Sequence, residues 1–372
     1  MKEHHKAPAV SPASGRRLFL IVLLSLPLSG CYIISQGAHF LSDQLRARPT
    51  GRAAERWPQY AEFITDTEAI REFGIRFVGL RDTKSYTTFV RTEHGHLAYV
   101  VSAARPTSFE RHLWRYPVVG AMPYKGFYRE RAALREALRL EAAGWETMTR
   151  RVGAFSSLGY FVDPLYSYMS MYPPERIASL LLHEMTHATI WVSNDVPLNE
   201  AIANFVGDRG ALAYLEHRYG TDSPILEDAI RRQSERARFT QFMQGLAREL
   251  ETVYDSGRPE SEVLELKAQT VAAARERFAT RYDEWFSSET YRGLLQREIN
   301  NAYVDLYRTY SDDMHLVEAV YESVGGDLRL LLTALLAIED AVPAGQTLRT
   351  ALESRKSDYA RDEEEVVSLP ET

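Results

Sequence analysis

The chain has 372 residues, of which 45% are hydrophobic and 26% are charged, and its formal net charge at pH 7 is −7. A chain of this length and apolar content can bury a large core and form one catalytic unit with subdomains. The negative charge, and the lack of a basic stripe with interleaved aromatic residues, argue against a nucleic-acid partner. Cys31 is the single cysteine, so an intramolecular disulfide is excluded.

Residues 1–30 have the pattern of a bacterial lipoprotein signal peptide. Arg16 and Arg17 precede an apolar run over residues 18–28, which is too short to span a bilayer and has the length of a signal-peptide core. The run ends in Leu-Ser-Gly-Cys, which resembles a lipobox with cleavage before Cys31 and lipid attached to it. We therefore expect a lipid anchor in the bacterial cell envelope.

A plain signal peptide or a buried helix is the alternative for this apolar segment. Lipid chains contribute about 0.8 kcal/mol per buried CH₂, so the acyl chains that the lipobox implies would anchor the protein firmly. Tyr32, rather than an aspartate, follows the cysteine. In lipoproteins of this kind that residue permits transfer to the outer membrane, and we expect the periplasmic side.

Residues 31–73 are predicted to form an N-terminal helical segment, because apolar residues recur at helical spacing over residues 52–72. Alternating, β-rich segments follow at Ile75–Leu80, Tyr86–Arg91 and Leu97–Ala103. They predict a small antiparallel sheet. An edge strand of such a sheet could hold an extended peptide by main-chain hydrogen bonds.

A hairpin turn is predicted at residues 93–96, which contain His94 and His96 on either side of a glycine. Such a pair can bind a metal, but its place in a turn favours solvent exposure. Further along, the pattern predicts a helix near residues 129–143 and a strand near residues 145–152. A loop rich in glycine and aromatic residues follows.

The most informative segment is an H-E-x-x-H pattern inside an apolar helical run, formed by His183, Glu184 and His187. Residues four apart lie on one face of a helix, so the two imidazoles can converge on one metal ion. Glu200 begins a second apolar segment after a short loop and is the predicted third ligand. Asn204 lies one helical turn later and can accept the free ring N–H of a ligating histidine.

Two imidazoles and one carboxylate are a ligand set of catalytic Zn²⁺, which keeps a position open for water. Coordination lowers the pKa of that water to about 7. Glu184 points away from the two histidines because it is next to one of them on the helix, so its predicted role is general base. A chance occurrence of the pentamer is the alternative. The apolar surroundings argue against it, because buried histidines need partners.

The chain after residue 220 is predicted to be nearly all helical, with long amphipathic segments at residues 224–253 and 260–286 that form a helical hairpin. Such a hairpin is usually scaffolding, and a partner surface is the alternative. A donor to the tetrahedral oxyanion is also needed. The candidates are Tyr160, Tyr166, Tyr303 and His315, and we select Tyr303, with Asn300 and Asn301 orienting the substrate backbone.

These elements predict an α+β fold, in which a small antiparallel sheet packs on a zincin-type HExxH helix and a largely α-helical C-terminal region follows. The predicted divisions are a signal peptide (1–30), an N-terminal helical segment (31–73), a zinc catalytic core (74–220), a helical region that completes the cleft (221–355) and an acidic disordered tail (356–372).

The motif region resembles known zinc peptidases. His183 to His187, followed by the Asn-Glu-Ala segment around Glu200, is similar to the gluzincin arrangement, although the interval is shorter than in thermolysin. Residues 114–128 and 154–164, together with the motif, resemble a family of bacterial lipoproteins described as zinc aminopeptidases. The resemblance covers roughly residues 31–350 and includes Asn300-Asn301-Ala302. It implies one zinc ion, peptide substrates and a membrane anchor.

The residue that would bind the substrate amine in an aminopeptidase is missing from its expected place. Gluzincin aminopeptidases bind the substrate amine with a glutamate in a G-A-M-E-N segment, whereas Gly120-Ala121-Met122 is followed here by Pro123 and Tyr124. Two hypotheses therefore remain: a lipid-anchored zinc metallopeptidase, with aminopeptidase action favoured and endopeptidase action open, and an envelope assembly or chaperone-like lipoprotein that mainly binds clients. Glu184 favours the first, because a binder needs no general base.

Overall fold

The computed structural model describes residues 45–92, 95–96, 98–116, 120–152, 163–193, 195–308, 313–343 and 346–355. The predicted signal peptide with Cys31, the tail over residues 356–372, and the positions of His94 and Tyr160 lie outside the described residues. From Ala47 onward the described residues belong to one compact unit. Within the described part, none of the helices has both the length and the apolar character required to cross a membrane.

The fold is a mixed α/β structure in which helices predominate. The helices are, in chain order, α1 (Thr50–Arg56), α2 (Ala61–Phe73), α3 (Glu130–Glu141), α4 (Pro174–Thr189), α5 (Val196–Tyr219), α6 (Pro224–Tyr254), α7 (Glu260–Trp285), α8 (Asn301–Arg308), α9 (Met314–Ser323) and α10 (Leu328–Ala341). Residues 348–355 are also helical.

The strands are short and form three small sheets among the described residues. They are β1 (Arg48–Pro49), β2 (Thr88–Val90), β3 (Ala98–Ala104), β4 (Trp114–Tyr116), β5 (Gly120–Met122), β6 (Tyr124–Phe127), β7 (Glu146–Val152) and β8 (Leu165–Tyr166). The orders are β1-β2-β8, in which β2 and β8 are parallel, β6-β3-β7, which is antiparallel, and the β4-β5 pair.

The strand predicted at Ile75–Leu80 is wrong. Helix α2 continues there into one wide turn at Gly74–Val78, and the turn ends at Gly79 with φ +85°. Val78 and Leu80 are buried in the same core as α2, so they continue its apolar face instead of alternating in a strand. The predicted single helix over residues 52–72 is interrupted at Trp57, because Pro58 lacks the N–H that a helix interior needs.

The predicted hairpin between the second and third β-rich segments is also wrong. β2 pairs with β1 and β8, whereas β3 pairs with β6 and β7. The prediction failed because a turn-like sequence indicates only that the chain reverses locally. Which strands pair depends on packing in the core. The strands β3 and β7, helix α3 and the α6–α7 hairpin confirm the corresponding predictions.

Two hydrophobic clusters hold most of the described core. The first joins the metal-motif helices α4 and α5 to α1 and α2 at one end of the chain and to α9 and α10 at the other. The second is formed mainly by α6, α7 and α8. The main packing partner of α4 is α5, with α2 beside it. Direct packing of a sheet on α4 stays a prediction.

Candidate metal centre

Helix α4 presents the two histidines on the side opposite its deepest apolar contacts. Pro174 occupies the first turn, where its missing N–H has no cost. Leu181, Leu182 and Met185 are buried in the core. The H-E-x-x-H segment is thereby fixed by ordinary helix packing, and the imidazole rings lie 4.7 Å apart, nearly perpendicular to each other.

Helix α5 packs unusually close to α4, and two glycines make this possible. A Cβ atom added at Gly207 would lie 2.7 Å from the Ser179 carbonyl oxygen and 3.1 Å from the His183 Cβ. One at Gly210 would lie 2.9 Å from a methyl group of Leu182. The approach brings the first turns of α5, which carry Glu200, beside the histidines.

The start of α5 is held by two side chains. Asp195 caps the helix by accepting a hydrogen bond from the Leu198 N–H at 3.2 Å. Asn199 is buried, and its Oδ1 accepts from the Val192 N–H at 2.8 Å while its Nδ2 donates to the carbonyls of Val192 and Asp195 at 2.7 and 2.8 Å. These hydrogen bonds fix Val192 and Asp195 relative to the first turn of α5 and so help to set where the helix begins.

A distant residue reinforces that start. The Arg349 guanidinium donates to both carboxylate oxygens of Asp195, at 2.8 and 2.7 Å, and also to both oxygens of Asp313. The hydrogen bonds from Arg349 hold the pKa of Asp195 below its usual range, although burial acts in the opposite direction. The C-terminal helical segment is thus attached to the helix that carries Glu200.

The three predicted ligands come together. The Nε2 atoms of His183 and His187 are 3.1 Å apart, and the Glu200 carboxylate lies 3.6 Å from the first and 3.4 Å from the second. In the described part of the chain they form a group that could hold a metal ion. His187 is buried, whereas about half of the Glu200 side chain is exposed, so the group opens to solvent on the glutamate side.

The protonation states of His183 and Glu200 suit metal binding. Burial, followed by the neighbouring His187, lowers the pKa of His183 to about 4, so its imidazole is neutral at pH 7. Burial alone would raise the pKa of Glu200, but the hydrogen bond with His187 and the two imidazoles outweigh it and lower the pKa. Asn204 hydrogen-bonds the side chain of His183, which is the kind of contact expected for it. Its role in orienting a ligand stays a prediction.

Glu184 lies on α4 beside the metal group and close to Tyr86, which sequence analysis did not select. Burial and then the Glu184 charge raise the pKa of the Tyr86 phenol, so it stays protonated. Tyr86 has φ 63°, a strained value for a residue with a side chain, and its N–H donates to the Asp163 carbonyl at 2.6 Å. Strain of this kind is found at functional sites more often than elsewhere.

The described contacts of Asn301 are structural, and its predicted role in binding substrate stays a prediction. Its side chain is fully buried, donates to the carbonyls of residues 105, 106 and 108, and accepts from the Tyr254 hydroxyl at 2.6 Å. Its own N–H donates to Glu146, which also binds Lys267. Asn301 therefore joins the loop after β3 to α6 and α8.

Asn300 and Tyr303 also have structural contacts. Asn300 donates to the Thr147 carbonyl at 3.0 Å, and its Oδ1 caps α8 by accepting from the Tyr303 N–H. Tyr303 packs its ring against Tyr307 at 5.6 Å within the second core cluster. The oxyanion role of Tyr303 and the substrate role of Asn300 stay predictions.

Tyr124, at the start of the edge strand β6, is a further tyrosine that sequence analysis did not select for the site. Burial and then the Glu200 carboxylate raise its pKa, which places its phenol within electrostatic reach of the metal group. Of the other oxyanion candidates, Tyr166 is buried and stacked on Tyr168, and His315 is exposed on α9. Tyr124 and Glu200 are far apart in the chain, so the sequence alone gave no signal for their interaction.

The chain belongs to the protein family described as "Putative aminopeptidase", whose model matches residues 52–348. The match includes both metal-motif helices, the three sheets apart from β1, and the α6–α7 hairpin. Neither a curated protein nor a solved structure matched the chain. The family description indicates a peptidase, and the substrates of a peptidase are peptides.

Proposed function

We propose that the protein is a zinc-dependent metallopeptidase, with aminopeptidase action favoured, of the gluzincin type. The observation that carries this proposal is the triangle of donor atoms at 3.1, 3.4 and 3.6 Å. Tetrahedral ligands with bonds of about 2.0–2.1 Å stand roughly 3.3 Å apart, so the triangle has the size of three corners of a zinc site. Two imidazoles and a carboxylate are the matching donor set.

The proposed mechanism assigns one task to each residue. A bound zinc ion would supply an activated water and polarise the scissile carbonyl. His183, His187 and Glu200 would hold that ion, and Glu184 would accept the proton of the water and later deliver it to the leaving amine. Tyr86 stands beside Glu184 as a protonated phenol.

The oxyanion formed during attack needs a donor from another element. Tyr303 is the residue proposed from the sequence, and Tyr124 is a second candidate because its hydroxyl interacts with Glu200. The two can be distinguished by substitution with phenylalanine. The hydroxyl that acts on the oxyanion should lower kcat about a hundredfold when it is removed, with little change in KM.

We also propose that the protein is lipidated at Cys31 and held in the bacterial cell envelope, on the periplasmic side of the outer membrane. The support is the signal-peptide pattern that ends in Leu-Ser-Gly-Cys. Mass spectrometry of the protein recovered from membranes should show an acylated N-terminal cysteine. A free thiol at Cys31, or an uncleaved N terminus, would contradict the lipid anchor.

The catalytic proposal is tested by incubating the zinc-loaded protein with a complex peptide mixture and mapping the products by mass spectrometry, with Glu184→Gln as the matched control. We expect cleavage by the wild type alone. Stepwise loss of N-terminal residues would establish an aminopeptidase, and internal cuts an endopeptidase. If both proteins hold zinc and neither cuts, the alternative of a chaperone-like lipoprotein that binds clients is favoured.

A further inference from the structure

Helix α3 is packed against a sheet on one side and exposed to solvent on the other. It lies on the sheet β6-β3-β7, and its buried residues are Ala133, Ala137 and Leu140. Lys125 of β6 pairs with Glu136 of the helix at 3.5 Å. Arg151 of β7 pairs with Glu130, in the first turn of the helix, at 3.9 Å. These contacts give the outer side of α3 a fixed orientation on the molecule.

The outer side of α3 carries two leucines. Leu134 is 47% exposed and Leu138 is 64% exposed, and the two are one helical turn apart. Since a helix has 3.6 residues per turn, Leu138 points at least a quarter turn away from every buried residue of α3. A single exposed leucine is ordinary on a protein surface, whereas two neighbouring ones form an apolar patch.

Two arginines flank this apolar patch. Arg131 lies three residues before Leu134 in the helix. Arg135 lies three residues before Leu138, so all four side chains share the outer side. Both arginines are exposed, and neither has an ion-pair or hydrogen-bond partner among the residues that the structure describes. We call these four residues the α3 face.

The acidic residues of α3 do not engage these arginines in the described structure. Glu130 and Glu136 have the cation partners given above, and Glu141 accepts a hydrogen bond from the Thr147 hydroxyl. The chain as a whole has a net charge of −7, so the cations of the α3 face are not the result of a basic composition. The α3 face therefore attracts anions locally.

The α3 face is too small to form a protein interface by itself. A helix of 12 residues is about 18 Å long and about 10 Å wide. A stable protein interface buries about 800 Å² on each partner, which is several times the area of such a strip. A membrane surface adapts to a convex helix. Leucines enter the headgroup region, while the long arginine side chains extend to the lipid phosphates.

We propose that the α3 face binds an anionic membrane surface, with Leu134 and Leu138 inserted between the headgroups and Arg131 and Arg135 bound to lipid phosphates. Each arginine near such a surface raises the affinity about fivefold. The contact orients the compact unit relative to the membrane. The inference goes beyond the proposed peptidase function and depends neither on zinc nor on a lipid at Cys31.

The test is vesicle binding by a chain that carries no lipid. The protein starts at position 31 with Cys31→Ser, so it retains the whole compact unit from Ala47 onward. It is sedimented with vesicles of pure phosphatidylcholine and with vesicles that also contain phosphatidylglycerol. We expect tenfold or more higher affinity for the anionic vesicles, and a decrease of this affinity as the salt concentration rises.

Paired substitutions test whether the α3 arginines cause this preference. Arg131→Gln combined with Arg135→Gln should lower the affinity for anionic vesicles tenfold or more and leave binding to phosphatidylcholine unchanged. The matched control is Arg248→Gln combined with Arg329→Gln, which removes two exposed arginines on α6 and α10. The control changes the net charge equally and should keep the preference of the parent protein.

The leucines are tested by substitution and by a fluorescent probe. Leu138→Gln should weaken binding to anionic vesicles, whereas Leu330→Gln, which replaces a half-exposed leucine of α10, should not. Because Cys31→Ser removes the single native cysteine, Leu138→Cys provides one thiol for an environment-sensitive dye. Its emission should increase and shift to the blue with anionic vesicles, and the same dye at Leu330→Cys should show no change.

Several results would overturn the membrane contact. They are no binding to either vesicle, equal binding to both, and a preference that survives the paired substitution of Arg131 and Arg135. A dimer that Leu138→Gln dissociates in sedimentation velocity would assign the α3 face to a second copy of the chain, and would overturn it as well. Thermal unfolding of each variant controls for a loss of fold. The peptidase proposal is unaffected by any of these outcomes.

Discussion

Glu200 and Asn199 are neighbours in the sequence with different tasks. The Glu200 carboxylate is directed at the two imidazoles, whereas the Asn199 amide is buried and binds three backbone groups of the preceding loop. The second task supports the first, because the position of Glu200 depends on where α5 begins. A metal site of this kind is held by residues that never touch the metal.

Asn199→Ala should therefore weaken both the fold and the metal site. The change leaves the buried Val192 N–H without its acceptor, which costs about 1–3 kcal/mol. We expect a loss of that size in the free energy of unfolding of the metal-free chain, and weaker zinc binding in competition with a chelator. Unchanged zinc affinity alongside reduced stability would show that the loop does not set the position of Glu200.

Glu136 makes the stability of the chain depend on pH in acid. Burial alone would raise its pKa, but hydrogen bonds from Arg139 and Trp114, with the charge of Lys125, lower it to about 2. A carboxyl whose pKa is lower in the folded state stabilises the fold above its unfolded pKa near 4.5, and the contribution is lost as pH falls toward 2.

Glu136→Gln should accordingly lower the free energy of unfolding at pH 7 by on the order of 2 kcal/mol, and the difference from wild type should shrink as pH falls toward 2. Urea unfolding between pH 7 and pH 2 measures this. Glu130→Gln is a suitable comparison, because Glu130 is half exposed and its arginine partner is 3.9 Å away. A difference that stays constant with pH would contradict the assignment.

For single residues, the sequence predicted those that the helix period brings together and missed those that depend on tertiary contacts. His183 and His187 are four apart, and their convergence follows from helix geometry alone. Tyr86 and Tyr124 belong to segments far from the motif in the chain, and no local pattern reports their interactions with Glu184 and Glu200. The prediction for Asn301 rests on the Asn300-Asn301-Ala302 segment, and that segment does not report that the Asn301 side chain is fully buried.

The contact between helices α4 and α5 places Glu200 beside the two histidines. Gly207 lies two turns after Glu200, where the backbone of one helix meets the Ser179 carbonyl of the other. Gly207→Ala places a methyl group 2.7 Å from that oxygen, so the helices must move apart. We expect a loss of about 1–3 kcal/mol of stability and at least tenfold weaker zinc binding.

Gly245→Ala on α6 is the control for that substitution, because no atom lies within 4 Å of a Cβ added there. It should stabilise the helix slightly, since alanine is the better helix former by about 1 kcal/mol. The affinities of both variants for zinc are measured by chelator competition. Wild-type affinity in Gly207→Ala would mean that the close approach of the helices does not set the ligand geometry.

The long helices were predictable because their amphipathic pattern extends over many residues, as in α6 and α7. The short strands were not, since β1, β2, β4, β5 and β8 have two or three residues each and too few positions to show a period. The segment Ile75–Leu80 was assigned to a strand from its β-branched and aromatic residues. Burial against the core decided in favour of a continued helix.

In the whole molecule, the contact between Lys267 and Glu146 attaches the helical hairpin to the sheet. The Lys267 ammonium donates to Glu146 and to the Pro106 carbonyl, and Glu146 also accepts from the Asn301 N–H. The lysine side chain is buried, and burial lowers its pKa although the charge of Glu146 acts against this. One ion pair thus connects α7, β7 and α8.

Lys267→Met should destabilise the protein by about 1–3 kcal/mol, because it leaves the partly buried Glu146 without its cation. The double variant Lys267→Met with Glu146→Gln should lose less than the sum of the single losses, since the neutral amide can still accept from Asn301. Guanidinium unfolding of the four proteins gives the coupling energy. Strict additivity would show that the two side chains do not act as a pair.

The link between Asp195 and Arg349 joins residues 154 positions apart in the chain. During synthesis the two histidines and Glu200 emerge long before Arg349, so until then the start of α5 has only its local contacts through Asp195 and Asn199. A nascent chain or a fragment that ends before Arg349 contains every proposed zinc ligand yet lacks this link. The Arg349 contact is therefore the last of the contacts at the start of α5 that can form as the chain is made.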